Sequence, residues 1–265
     1  MHEPLQPAAT APPPFELVNP EGSPDFLIVC DHASNALPPG YGSLGLPEAE
    51  FARHIAWDIG AAGVALGLSK ALSCPAVLGR YSRLLIDLNR GEDDPTLVMK
   101  LSDGAIIPGN RDVDPDHDAA EFEHRIRAFH APYHAAIASA LRRAHDSRAV
   151  PVIVSVHSFT PRWRHFIRPW ETGLLWDRDD RLVGPLMEGL EQEGFTVGDN
   201  EPYTGRLLND CMYRHGTANG LPHVLIEIRQ DLIETEEGQR EWAERYARHL
   251  LAAASLPGIR EIRQP

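Results

Sequence analysis

The sequence predicts a three-layer α/β fold around a mostly parallel, mixed central sheet. Short apolar runs alternate with longer helical patterns along the chain. No linker divides them, and polar clusters recur directly after the apolar runs. Asp31-His32, Asn89-Arg90, His157-Ser158 and Glu227-Arg229 are such clusters. In open α/β sheets ligands bind beyond the carboxyl ends of the strands, so four clusters at one sheet edge would make one pocket.

Residues 25–30 (DFLIVC) read as a buried strand, followed by a turn-rich loop. Pro47 opens a helical pattern to about residue 72, with Glu48 and Glu50 in its first turn. Residues 75–79 and 83–88 read as two short strands or one bent strand. Residues 90–117 are polar and rich in Asp, Gly and Pro, a loop length that is usually functional or disordered. A second long helix fits 119–144. Residues 150–156 (VPVIVSV) form the clearest buried strand, and 172–176 another. A helix over 181–193 and a short strand over 195–197 lead to the loop GDNEPYTG. Residues 222–228 are again a strand. The pattern at 236–254 is an amphipathic helix with Trp242, Tyr246 and Leu250 four apart.

The chain has 265 residues and a net charge of −13, with ordinary hydrophobic and charged content. That acidity argues against a nucleic-acid or anionic-membrane partner. No apolar run approaches the roughly 18 residues of a membrane span. Among the Lys and Arg residues only Lys70 and Lys100 are lysine. Arg is the better bidentate clamp for a carboxylate, so a local basic pocket for a small acidic ligand is compatible with the net charge. Cys30, Cys74 and Cys211 form no CxxC pair and read as reduced thiols of a cytoplasmic protein. The proline-rich residues 1–14 read as an extended, disordered leader without secretory character, and 15–265 as one domain.

His32 and His157 each follow an apolar strand. Two imidazoles from separate strands could share a divalent metal, or each could satisfy backbone groups at its own strand end. Glu227 sits among Val224, Leu225, Ile226 and Ile228. A glutamate buried there is either a general base or the partner of a cation such as Arg229. Asn35 lies three residues after His32, where a neutral amide is a poor zinc ligand. Asp31 is the nearest carboxylate and could substitute, or cap the loop through an Asx turn. Arg83, Asn89 and Arg90 could grip a substrate carboxylate, or Arg90 could pair with Glu92 or Asp93. His130 and His134 are four apart, a possible zinc pair without an accompanying HExxH glutamate, and otherwise read as packing or surface residues.

With DHASN, RLLIDLNR, VHSFTP, GDNEPYTG and EIRQDL in order between about residues 25 and 233, the chain resembles the N-formylglutamate amidohydrolase family. The resemblance implies kinship with zinc carboxypeptidases and aspartoacylase-like deacylases, and their fold. It implies a divalent metal, Zn²⁺ by preference, held by His32 and His157. It implies Asn89 and Arg90 as a carboxylate clamp and Glu227 as the base. Arg83, Arg111 or Arg206 would bind the second carboxylate, Arg229 is a further substrate-binding candidate, and Asn200 and Tyr203 would close over the substrate. The implied substrate is a small acidic N-acyl amino acid, N-formyl-L-glutamate or a relative. Asn35 departs from the pattern, because those relatives carry a metal-binding glutamate there. A deacylase of different acyl specificity, and a binding protein without a competent metal, stay open as alternatives.

Overall fold

The computed structural model describes residues 12–264. The expected leader falls outside the described residues up to position 11. Beyond it, the carbonyls of Pro13 and Pro14 accept hydrogen bonds from Arg80 Nε and N at 2.9 and 3.0 Å.

The strands are β1 (Phe15–Val18), β2 (Phe26–Cys30), β3 (Ala76–Gly79), β4 (Leu101–Ser102), β5 (Ala105–Ile106), β6 (Val152–Phe159), β7 (Arg162–Trp163), β8 (Phe166–Ile167), β9 (Thr172–Leu175), β10 (Val197–Asp199) and β11 (His223–Arg229). Seven of them form the main sheet in the order β1-β3-β2-β6-β11-β9-β10, while β4-β5 and β7-β8 are small ribbons. The centre is parallel: β3, β2, β6 and β11 run the same way. At the flanks β1 runs antiparallel to β3, and β9 runs antiparallel to β11 with β10 parallel to β9, so the sheet is mixed.

The helices are α1 (Ala61–Ala71), α2 (Ala119–Arg125), α3 (Ala131–Asp146), α4 (Val183–Gln192), α5 (Cys211–His215) and α6 (Glu236–Ala254). Strand alternation divides the core into two layers. Ile28, Val154, Val156, Val224 and Ile226 pack with Val64, Leu68, Leu186, Trp242 and Leu250 of α1, α4 and α6. Leu27, Val29, Ile153 and Leu225 pack on the other face with Tyr133, Ile137 and Met212 of α3 and α5. By the same alternation Asp31, Ser155, His157 and Glu227 share the parity of this second face. A third apolar cluster gathers Leu44, Ile55, Leu84 and Ile107 under the loops. No helix among the described residues is long and apolar enough to cross a membrane.

Three expectations need correction. The helix over 47–72 is a 3₁₀ turn (Glu48–Ala52), an irregular stretch and then α1. The break is at Gly60, whose φ of +82° and 2.2 Å approach of a would-be Cβ to the Ile233 carbonyl admit only glycine. Residues 83–88 are a buried turn, not a strand. Leu85 N bonds Ser82 O and Asp87 N bonds Leu97 O, and the apolar side chains go inward without a ladder. The helix over 119–144 contains a π turn at Ile126–His130, which ends two residues before Pro132, a residue with no N–H to continue the regular ladder.

Candidate active site

The parallel strands β2, β6 and β11 deliver Asp31-His32, His157 and Glu227 to one place beyond the middle of the sheet. In β6 and β11, His157 and Glu227 are direct register partners. The His32 and His157 rings meet edge-on with centroids 4.9 Å apart. Both turn Nδ1 toward one oxygen of Asp58, at 3.3 and 2.8 Å. Asp58 comes from the irregular stretch before α1, where its backbone N–H bonds His32 O at 3.0 Å. One ligand atom from each of His32, Asp58 and His157 lies within 4.8 Å of the others.

The outer nitrogens are also fixed. His32 Nε2 donates to Asp87 Oδ1 at 2.7 Å, and His157 Nε2 donates to Asp31 Oδ2 at 3.1 Å. A carboxylate behind each imidazole sets the tautomer and aims the other nitrogen inward, as around histidines that bind metals. Asp31 is itself held by Tyr133 OH at 2.9 Å and Ser155 Oγ at 3.2 Å. Two imidazole nitrogens and one carboxylate are the donor set of a catalytic zinc centre, so these residues fit a divalent metal.

Electrostatics agree with tight packing of opposite charges. Burial opposes the Asp58 charge, but His32 and His157 outweigh it and hold the carboxyl well below the usual range. Burial also opposes charge on His157, yet Asp31 and Asp58 raise its pKa well above 6.5. Glu227 differs: burial dominates and pushes its pKa up to about 7. Its Oε2 is buried without a hydrogen-bond partner.

These groups line a cavity of 680 Å³ together with Asn89 and Arg90. That is the size of an ordinary small-molecule site. Asn89 Oδ1 accepts from Cys211 N at 3.2 Å, which leaves its Nδ2 to donate. Arg90 Nη1 bonds Asn89 O at 3.2 Å, and Arg90 Nε lies 3.8 Å from Asp94, not beside Glu92 or Asp93. Arg83 lies on the same wall but is committed to Asp87 through Nη2 at 2.6 Å and Nε at 3.1 Å. Tyr203 faces the cavity, and its hydroxyl accepts from Arg168 Nη2 at 3.1 Å.

Other expected residues lie elsewhere. Asn35 donates to Phe51 O at 2.8 Å and is not in the cavity lining. Asp31 sits behind His157 rather than beside Nδ1. Asn200 accepts from Trp176 N and Gly205 N at 3.1 and 2.9 Å and braces the loop. Arg229 reaches Asp231 at 2.8 Å and Trp170 O at 3.2 Å, away from the cavity. Arg111 and Arg206 do not line it either. Sequence reasoning missed Asp58, Asp87, Arg168 and Asp210. Asp58 had a signal: Asp-x-Gly before an apolar helix start is a turn, not a helix interior. Asp210 caps α5 through Tyr213 N at 2.7 Å and lines the cavity, and burial pushes its pKa up to about 7.

The sequence model of the N-formylglutamate amidohydrolase family matches residues 24–234. Among solved structures, a gene product of Agrobacterium tumefaciens is 34% identical, with 92% of this chain and 96% of that chain covered and a TM-score of 0.87. An N-formylglutamate amidohydrolase from Ralstonia eutropha JMP134 is 22% identical, covers 91% of this chain and 97% of that one, and has a TM-score of 0.67, a likeness of fold. No protein of curated function matches the chain.

Proposed function

Because the chain belongs to the N-formylglutamate amidohydrolase family, a family of amidohydrolases acting on small N-acyl amino acids, we propose that it hydrolyses the formamide bond of N-formyl-L-glutamate to formate and L-glutamate, with His32, Asp58 and His157 holding a divalent metal and Glu227 as general base. The observation that carries the reading is Glu227 Oε2: a buried carboxylate oxygen without a partner, on the wall shared with that triad. Zn²⁺ suits the donor set. A divalent cation in that cradle supplies Lewis acidity, which acidifies water and polarises a carbonyl.

The chain's own residues account for the remaining steps. Glu227 takes a proton from the attacking water and returns it to the departing amide nitrogen. With a pKa near 7 the same carboxyl can accept and release a proton at neutral pH. Arg90 and the Asn89 amide hold the amino-acid carboxylate, which places the scissile bond over Glu227. The Tyr203 hydroxyl, with Arg168 donating to its oxygen, presents its own proton to the carbonyl oxygen. Arg83 acts through Asp87, keeping that carboxylate ionised behind His32.

The neutral Asn35 favours a non-catalytic reading, whereas the Asp58 carboxylate at the two imidazoles supports the catalytic one. The test is product analysis with purified, metal-replete protein and three substrates: N-formyl-L-glutamate, N-acetyl-L-glutamate and N-formyl-L-leucine. Formate and glutamate should appear in equal amounts from the first. Preference for the acetyl compound would reassign the acyl group, and no turnover of any of the three would overturn the reading.

A further inference from the structure

His130 and His134, and Cys211 and His215, are two i, i+4 pairs on facing elements, one at the π turn and start of α3 and the other on α5. The side chains meet in the second core layer, and all four residues are buried. His134 Nδ1 lies 2.9 Å from His215 Nε2, with their rings stacked at 22°. Each of His134, Cys211 and His215 offers a ligand atom within 4.8 Å of the others'. His130 Nε2 lies 3.2 Å behind His134 Nε2. None of these side chains lines the cavity of the candidate active site.

We propose that His134, Cys211 and His215 form a second metal site, for a borderline-soft divalent cation of the Zn²⁺ class. Four observations support it. The N₂S set, two imidazoles and a thiol, is what such an ion selects over Mg²⁺ or Ca²⁺, which prefer oxygen. His134 touches both His130 and His215, and three buried imidazoles in such a row cannot all be doubly protonated, so a neutral ring there keeps one nitrogen lone pair for a metal. The π turn that ends at His130 is a device that concentrates at functional sites. A cavity of 380 Å³ has His215 on its wall, so one of the three ligands borders open space.

His130 explains itself as an outer partner. Its Nδ1 is buried without a hydrogen bond and lies 3.9 Å from Glu92 Oε1. An ion on His134 Nδ1 requires the proton on His134 Nε2, which then donates to His130 Nε2. The His130 proton moves to Nδ1, toward the Glu92 carboxylate, at the expense of the contact from Nε2 to Arg90 O. Binding releases the Cys211 thiol proton to solvent.

Sulfur gives the experiment its specificity, since His32, Asp58 and His157 offer none. The full chain, stripped with chelator, is titrated with Co²⁺. A thiolate-to-cobalt charge-transfer band should grow in the near ultraviolet, and two equivalents should bind. Cys211→Ser should abolish the band and leave one equivalent with cobalt d–d absorption. If that variant does not fold, His215→Gln keeps the thiol and should lower the affinity of the band-forming ion at least tenfold, since losing even an outer partner of a ligand costs about 10–100-fold. Wild-type protein that saturates without a charge-transfer band, or a band that survives in Cys211→Ser, would overturn the site. Neither result touches the proposed hydrolase activity, which the formate assay reads separately.

Discussion

Replacing Glu227 by Gln should make the protein both less active and more stable, and the two effects together identify a functional carboxyl. In the fold, burial raises the Glu227 pKa from the ordinary 4.5 to about 7. The folded chain therefore keeps a proton that the unfolded chain releases, and between these values folding binds the extra proton. The sign follows: ionising Glu227 costs nothing near pH 4.5 and erodes stability as pH rises to about 7. At about 1.4 kcal/mol per pH unit, the rise from 4.5 to about 7 comes to about 3 kcal/mol at full ionisation. Gln has the same shape and never ionises. Urea unfolding of metal-stripped wild type and Glu227→Gln should coincide only below the unfolded pKa of 4.5 and separate as pH rises to 8, the variant being the more stable by up to about 3 kcal/mol. In the metal-replete proteins kcat for N-formyl-L-glutamate should fall by about 10²–10⁴-fold. A variant that is less stable at pH 8 and turns over normally would show that Glu227 is a structural counter-charge, and the base assignment would be refuted.

Three further substitutions probe the neighbours. Arg90→Lys keeps the charge but loses the planar fork, so KM should rise about tenfold with metal content unchanged. An unaltered KM would remove Arg90 from the clamp. Asn35→Ala should cost about 1 kcal/mol of stability through the lost bond to Phe51 O and leave metal content alone. Loss of metal would return Asn35 to the ligand set. Tyr203→Phe should lower kcat by about 10²-fold and leave KM nearly constant, because its proton is needed where charge develops. A change in KM alone would make Tyr203 a wall of the cavity and no more.

His32, His157 and Glu227 were legible because each is a polar residue at the carboxyl end of an apolar strand, a local pattern that a parallel sheet converts into one site. The sheet itself was legible for the same reason, through runs such as VPVIVSV. Asp58 was hidden inside what reads as a continuous amphipathic helix. Its place is set by Gly60 in the left-handed region and by a bond to His32 O, neither of which periodicity reports. The run at 83–88 has strand composition, but its apolar side chains fill the core from a turn that brings Asp87 to His32. Arg229 shares strand parity with Glu227, yet lies at the strand end, where Asp231 two residues on captures its guanidinium. Asn200 takes a positive φ and spends its amide oxygen on two backbone N–H groups. The pairing of His130 and His134 with Cys211 and His215 joins elements some 80 residues apart, and no spacing rule on one helix anticipates it.

Asp58 matters most to the proposed reaction, because under that proposal it joins two histidines in a three-ligand centre beside Glu227 as the base. Asp58→Asn preserves shape and removes the charge. Formate release from N-formyl-L-glutamate and bound metal should be measured on the same samples of wild type and variant. Wild type should release formate, and Asp58→Asn should lose about 10²-fold or more in turnover together with the metal of that centre. An Asp58→Asn protein that keeps its full metal complement and releases formate at the wild-type rate would contradict the account.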